Sequence, residues 1–301
     1  MKDKRIGVIM GGPSSEREVS LRTGGAVLQA LKNRGYDAVA IDWTADRSLG
    51  ELVRAARIEV AWIALHGTWG EDGCVQGLLE CERIPYTGSG VLASALGMDK
   101  VQSKRIFDHF AIATPSWALY RSQRDLDAVG LPVVVKPSRE GSSVGITIVA
   151  DVAQLQAALA AAQKYHGEVL LERYIKGRDI SVAVLDDAVL GTVEIRPAVP
   201  FYDYEAKYQR KDTQYLVPAP LDEKSDATAR DLALRAHRAL GCAGATRSDL
   251  LVGEDARVWM LEVNTLPGMT ATSLLPKIAR HAGLSYDDLC ERILLGAGLY
   301  A

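Results

Sequence analysis

The chain is poor in cysteine. Cys74, Cys81, Cys242 and Cys290 are the four in 301 residues, and their spacings match neither a disulfide framework nor a metal site. Idle thiols in a reducing cytosol are the expectation. Net charge is small as well, −3 at neutral pH, which leaves no electrostatic footprint for nucleic acid or an anionic membrane. Long apolar runs are missing. The run from Ile6 to Met10 is too short for a signal-peptide core, and nothing later reaches membrane-spanning length. Low-complexity segments and internal repeats are missing too. These absences argue against a disulfide-stapled secreted domain, a membrane protein and a nucleic-acid binder, and lead to the expectation of a cytoplasmic protein.

What is there is an ordinary globular chain, 48% apolar and long enough for two or three domains. Residues 5–10 read as a buried strand, followed by the tight loop Gly11-Gly12-Pro13-Ser14-Ser15 and a helix from about Glu16 to Asn33. Strand (38–42), helix (49–56) and strand (60–65) continue the alternation. That pattern predicts an open parallel sheet with its sites at the strand C-termini. A dinucleotide reading of the first loop fails because Gly-x-Gly-x-x-Gly is absent. His66-Gly67-Thr68-Trp69-Gly70-Glu71-Asp72-Gly73 follows the third strand directly, where α/β sheets bind ligand. It can also serve as a turn with acidic caps for a helix at 74–81. A helical stretch, 92–109, then carries Lys100.

A second unit begins near Thr114-Pro115. Its strand 132–136 ends on Lys136 and runs through the loop Ser138 to Gly145 into another strand, 146–149. Because strands flank it on both sides, this Gly/Ser loop is not a Walker-type P-loop. It can still offer backbone N–H groups and a hydroxyl to phosphate oxygens. A solvated hairpin tip is the plain alternative. An alanine-rich helix (152–164), a strand (168–173) and a paired set of strands (179–185 and 188–195) follow. Residues 197–217 hold little periodicity, and a loop this long inside a compact enzyme is usually a lid or an Ω-loop. A helix at 223–240 leads into the last sheet element, and two helices, 273–282 and 285–295, follow it.

The stretch from Arg247 to Gly268 is the most informative. Two β-rich runs flank Gly253-Glu254-Asp255-Ala256, which predicts a hairpin. A symmetric register sets Asp249 opposite Glu262 and Arg247 opposite Asn264. Alternation puts Val258, Met260, Glu262 and Asn264 on one face, and Arg247, Asp249 and Leu251 on the matching face. Facing carboxylates repel, and a cation between them removes that cost. Asp249, Glu262 and the Asn264 amide oxygen are the hard oxygen ligands that suit Mg²⁺, which usually keeps phosphate oxygens as further ligands.

With these residues in place, the sequence resembles the D-alanine–D-alanine ligase family of the ATP-grasp superfamily over essentially its whole length. Three motifs carry the resemblance specifically: His-Gly-x-x-Gly-Glu-Asp-Gly at 66–73, Lys-Pro-Ser-Arg-Glu-Gly-Ser-Ser-Val-Gly at 136–145 and Phe-Tyr-Asp-Tyr-Glu-Ala-Lys-Tyr at 201–208. Glu-Val-Asn-Thr-x-Pro-Gly-Met at 262–269 is shared more widely among ATP-grasp enzymes. The resemblance implies an α/β and α+β chain, an ATP-grasp fold behind an N-terminal parallel-sheet domain, divided as 1–97, 98–185 and 186–301. It implies that ATP phosphorylates the carboxylate of one D-alanine. The amine of a second D-alanine then attacks the acyl phosphate, giving a dipeptide for peptidoglycan precursor synthesis. Positioning and charge neutralisation dominate such chemistry.

By the same resemblance, Asp249, Glu262 and Asn264 would hold two Mg²⁺ ions, with Mn²⁺ as a substitute. Lys100, Lys136 and Ser142 would meet phosphates, Glu172 the adenine edge and Asp179 the ribose. Glu16 and His66 would serve the first D-alanine, with Glu16, Ser142 and Tyr208 as a hydrogen-bonded trio. Lys207 would reach the transferring phosphate. Arg247 and the Gly268 N–H would form the oxyanion hole. Ser273 and the Leu274 N–H would take the second substrate's carboxylate, as suits a helix N-terminus. The intact 201–208 motif favours an amine over the hydroxyl of D-lactate as second nucleophile. A D-lactate or D-serine ligase and a silent ATP-binding protein are the alternatives. Dimers are common in the family, so a homodimer fits it. Three positions depart from the family pattern: Ser248 where an apolar residue is usual, Thr246 where a small one is, and Asp179 where glutamate is.

Overall fold

The computed structural model describes residues 1–141, 144–165, 167–197 and 212–300. The chain opens as β1 (Arg5–Gly11), α1 (Arg17–Asn33), β2 (Asp37–Trp43), α2 (Leu49–Ala56) and β3 (Val60–Ile63). The three strands pair in parallel in the order β2-β1-β3, as the alternation predicts. α1 buries Ser20, Thr23, Gly24, Val27, Ala30 and Leu31, the spacing of three and four that turns one helical face to a core.

α3 (Cys74–Cys81) and α4 (Val91–Met98) follow, then α5 (Lys100–His109). The single helix expected over 92–109 is two. Asp99 leaves helical geometry, and its carboxylate accepts from the Val101 and Gln102 N–H groups, so it caps α5. Apolar periodicity runs through the break and conceals it.

The second unit comprises β4 (Trp117–Leu119), α6 (Gln123–Val129), β5 (Val133–Pro137), β6 (Thr147–Val149), α7 (Leu155–Ala162) and β7 (Val169–Arg173). Its strands form an antiparallel sheet in the order β4-β7-β5-β6. β5 and β6 are the hairpin expected around the Gly/Ser loop, of which residues 142 and 143 lie outside the described set.

The third unit holds β8 (Gly177–Leu185), β9 (Ala188–Arg196), β10 (Gln214–Leu216), α8 (Glu223–Ala239), β11 (Ala245–Gly253), β12 (Val258–Asn264), α9 (Leu274–His281) and α10 (Tyr286–Leu295). The sheet is antiparallel in the order β10-β9-β8-β11-β12. β10 is a short strand inside the region read as loop. β8 pairs with both β9 and β11, so a division at 185/186 would cut a ladder of hydrogen bonds, and we place that boundary before Gly177 instead.

Burial explains how the units are joined. Ile6, Val8, Met10 and Leu31 share a core with Leu185 and Val193 and with Leu275, Ile278 and Leu294. The first and third units are thus fused by one apolar core. Val133, Val135, Leu159 and Leu171 form a separate core in the second unit. All four cysteines are free, as the composition predicts. Among the described residues, no helix is long and apolar enough to cross a membrane.

Candidate active site

The β11–β12 hairpin pairs Arg247 with Asn264 and Asp249 with Glu262, the register expected from the sequence. Beyond Asp249 the register shifts, and Leu250 faces Met260. Leu261 is the extra residue of a β-bulge, which re-aims the side chains on either side of it. One expectation is thereby corrected. Val258 and Met260 are buried with Val263 in the core under α8, and do not share the face of Glu262 and Asn264. The backbone N–H of Met260 donates to the Ala113 carbonyl (2.7 Å) and its carbonyl accepts from Thr114 Oγ1 (2.8 Å), so the segment before β4 covers this outer edge of the sheet.

Arg247, Asp249, Glu262 and Asn264 occupy the hairpin's other face, next to the Leu251–Trp259 pair. Arg247 grips Asp249 bidentately, Nε to Oδ1 and Nη2 to Oδ2, both at 2.8 Å. Ser181 on β8 donates to Asp249 Oδ1 at 2.6 Å. Glu262 pairs with Lys100 Nζ at 3.0 Å, and that ammonium also donates to the Glu140 carbonyl at 2.7 Å. Asn264 Oδ1 accepts from the Leu266 N–H at 2.9 Å. Each carboxylate thus has a cation partner among the described residues, Arg247 for Asp249 and Lys100 for Glu262, and the two lie directly opposite each other. Among the described residues, no larger cluster of histidine, cysteine or carboxylate forms here. Two carboxylates and an amide oxygen are a hard donor set that fits Mg²⁺ with phosphate oxygens as further ligands.

α5 brings its basic residues in from one side. Lys100 and Lys104 are one helical turn apart and so share a face. Lys104 was missed by sequence reasoning, and the spacing Lys100-x-x-x-Lys104 was the signal that could have found it. Its ammonium pairs with Glu172 on β7 and donates to Thr114 Oγ1 at 2.6 Å. Lys136 at the end of β5 pairs with the other oxygen of the same carboxylate. Glu172 is 3% exposed. Burial opposes its charge, but the two lysines outweigh that and hold its pKa below the ordinary value. Burial pulls the Lys104 ammonium down to about 8 against the pull of Glu172.

Glu16 and the 66–73 motif come together at the C-terminal ends of β1 and β3. His66 is 6% exposed; its Nε2 lies 3.1 Å from Thr23 Oγ1 and its Nδ1 3.4 Å from Glu71 Oε1. Ser14 Oγ donates to the His66 carbonyl at 2.7 Å. Gly67 has a φ of +69°, and a Cβ there would come within 2.7 Å of Glu16 Oε2. Glycine is required for both reasons, and the Glu16 carboxylate lies against this loop. A half-open pocket of about 30 Å³, room for a water or two, is lined by His66 and Thr23 and by Thr265, Leu266 and Pro267, so the 66–73 and 262–269 motifs meet there.

Ser273 precedes α9 with extended backbone, and Leu274 is the first residue of that helix. Its N–H is one of the donors that a helix start leaves without an intrahelical partner. Ser273 Oγ bonds to Thr270 Oγ1 (2.8 Å) and accepts from the Thr270 N–H (3.1 Å). A Cβ on Gly268 would reach to 2.9 Å from Ser273 Oγ, so the two are in contact. Asp179 lies on β8 between Ile195 of β9 and Leu251 of β11. Ser142, Lys207 and Tyr208 lie outside the described residues.

Two family models match, D-ala D-ala ligase N-terminus over residues 5–52 and 48–89, and D-ala D-ala ligase C-terminus over 93–295. The chain belongs to the D-alanine–D-alanine ligase family. A D-alanine–D-alanine ligase of Anaeromyxobacter sp. (strain Fw109-5) is 53% identical over 305 residues, covering 99% of this chain and 98% of the relative. The crystal structure of D-alanine–D-alanine ligase from Bacillus anthracis complexed with ATP superposes with a TM-score of 0.86 at 39% identity, covering 97% and 96% of the two chains. The VanG D-Ala:D-Ser ligase from Enterococcus faecalis has a TM-score of 0.84 at 29% identity, covering 96% and 98%. The ATP-grasp architecture read from the motifs is therefore the fold of this ligase.

Proposed function

We infer that this chain joins two D-alanine molecules into D-alanyl-D-alanine with conversion of ATP to ADP and phosphate, in the cytoplasm, for peptidoglycan precursor synthesis. One observation carries the reading: Arg247, Asp249, Glu262 and Asn264 lie in cross-strand register on one hairpin, with Lys100 reaching Glu262 from α5. The family match and the ATP complex of a relative support it.

In this reading Glu16 holds the ammonium of the first D-alanine beside His66 and Gly67. The carboxylate of that D-alanine attacks the γ-phosphate of ATP and ADP leaves; Lys100 and Lys136 offset the phosphate charge, with Glu172 at the base and Asp179 at the ribose. Asp249, Glu262 and Asn264 would hold Mg²⁺, or Mn²⁺, which supplies further neutralisation of the phosphates when bound. The acyl phosphate then meets the amine of the second D-alanine, held through its carboxylate by Ser273 and the Leu274 N–H at the positive end of α9. The tetrahedral oxyanion is stabilised by Arg247 and the Gly268 N–H, the kind of donor worth about 10²–10³ in rate. Phosphate then leaves.

Turnover of ATP with D-alanine alone, or with D-alanine plus D-lactate or D-serine, and products read by mass, tests the substrate assignment. Dipeptide from D-alanine alone is expected, and none from L-alanine. Turnover only when D-lactate or D-serine is present would move the chain to a ligase for that second substrate.

A further inference from the structure

The nucleotide reading leaves Lys104 without a role, yet it is the least accessible charged side chain of the site, 0% exposed. An ammonium is buried this way only when its partners repay the lost hydration. Its partners are the Glu172 carboxylate and the Thr114 hydroxyl. Thr114 in turn donates to the carbonyl of Met260 on β12. Lys104 is thus held at both ends, by α5 at its root and by the metal-site strand at its tip.

Glu172 has two cationic partners, and they are not equivalent. Lys136 is the one assigned to phosphates, and a lysine turned toward a nucleotide no longer neutralises Glu172 fully. Lys104 is held in place, because its side chain is fully buried and Thr114 fixes its tip. It is the counter-ion that stays.

We propose that Lys104 is a positioning residue for the nucleotide base, keeping the Glu172 carboxylate a pure hydrogen-bond acceptor and so selecting a 6-amino purine over a 6-oxo purine. This rests on the reading that Glu172 lies at the base edge. The chemistry is simple. A carboxylate can only accept, and so matches an exocyclic amine and repels a carbonyl. Without Lys104, Glu172 in this buried place takes up a proton when Lys136 leaves it, and a carboxylic acid can donate to a 6-oxo group. Discrimination then relaxes, with little effect on the reacting atoms.

The test is kcat/KM for ATP and for ITP, with saturating D-alanine, in the wild type and in Lys104→Met, Glu172→Gln and Thr114→Val. Wild type favours ATP. Lys104→Met lowers the ATP/ITP ratio by about tenfold or more, as expected for a polar group left mismatched. The loss appears in KM for ATP, with KM for D-alanine nearly unchanged. The double variant Lys104→Met/Glu172→Gln discriminates no worse than Glu172→Gln alone, because the residues act as a unit. If Lys104→Met does not fold, Thr114→Val, which frees the lysine's tip, shifts the ratio the same way by a smaller factor. An unchanged ratio in folded Lys104→Met or Thr114→Val, while Glu172→Gln lowers it, overturns the proposal. An unchanged ratio in Glu172→Gln overturns the base-edge reading beneath it.

Discussion

Ser248 lies between Arg247 and Asp249, with its side chain turned to the opposite face. It is 0% exposed, and its Oγ has no hydrogen-bond partner among the described residues. A buried hydroxyl without a partner is a net cost. Ser248→Ala is therefore expected to raise stability by about 1 kcal/mol without changing kcat, as read by urea denaturation and steady-state turnover; a loss of stability would show that the hydroxyl has a partner. That Ser248 points away from Asp249 was legible, because strand alternation alone decides it. Thr246, the neighbouring departure, is also buried, but its hydroxyl meets His237 Nδ1 at 2.8 Å. No residue pattern announces that contact, which depends on how α8 lies across the sheet. The pairing of Lys104 with Glu172 was hidden for the same reason, although the Lys100-x-x-x-Lys104 spacing marks the residue itself, since Glu172 is 68 positions later in the chain (172 − 104).

At the scale of elements, periodicity located α2 and α3 to the residue, because each is bounded by local turns. It failed at Asp99 and at Leu261. The break at Asp99 is a cap inside a continuous apolar pattern, and the bulge at Leu261 answers to the partners of β12 on both sides. Both features serve the site: the cap starts α5 with Lys100 as its first residue, and the bulge lets Met260 enter the core while Glu262 stays on the polar face. Asp99 also pairs with Arg139 of the Gly/Ser loop between β5 and β6 at 2.9 Å. Asp99→Ala should cost about 1 kcal/mol from the lost cap, measured by thermal denaturation, and should raise KM for ATP more than KM for D-alanine. Equal changes in the two constants would separate the cap from the nucleotide site.

At the scale of the molecule, the two fused units and the separately cored middle unit meet around the Lys104–Glu172–Lys136 cluster. The sequence could be divided into three, but the shared core of the first and third units was not legible, because its partners, such as Val8 and Leu185, are far apart in the chain. The buried cluster gives stability a pH dependence. The folded pKa of Glu172 is below its ordinary value of 4.5. Its contribution is therefore present above that value and lost as pH falls through the lower, folded one. Glu172→Gln should melt at a lower temperature than wild type near neutral pH, with the gap narrowing as pH is lowered below 4.5; a constant gap would mean the charge is not what stabilises the cluster.

The most direct measurement of the central claim is mass-resolved turnover with ATP, Mg²⁺ and D-alanine as the sole amino acid, comparing wild type with Arg247→Ala. The account predicts one D-alanyl-D-alanine per ADP from the wild type, and a kcat lower by about 10²–10³ in the variant with ATP still bound. ADP release without dipeptide, or a variant as active as the wild type, would contradict it.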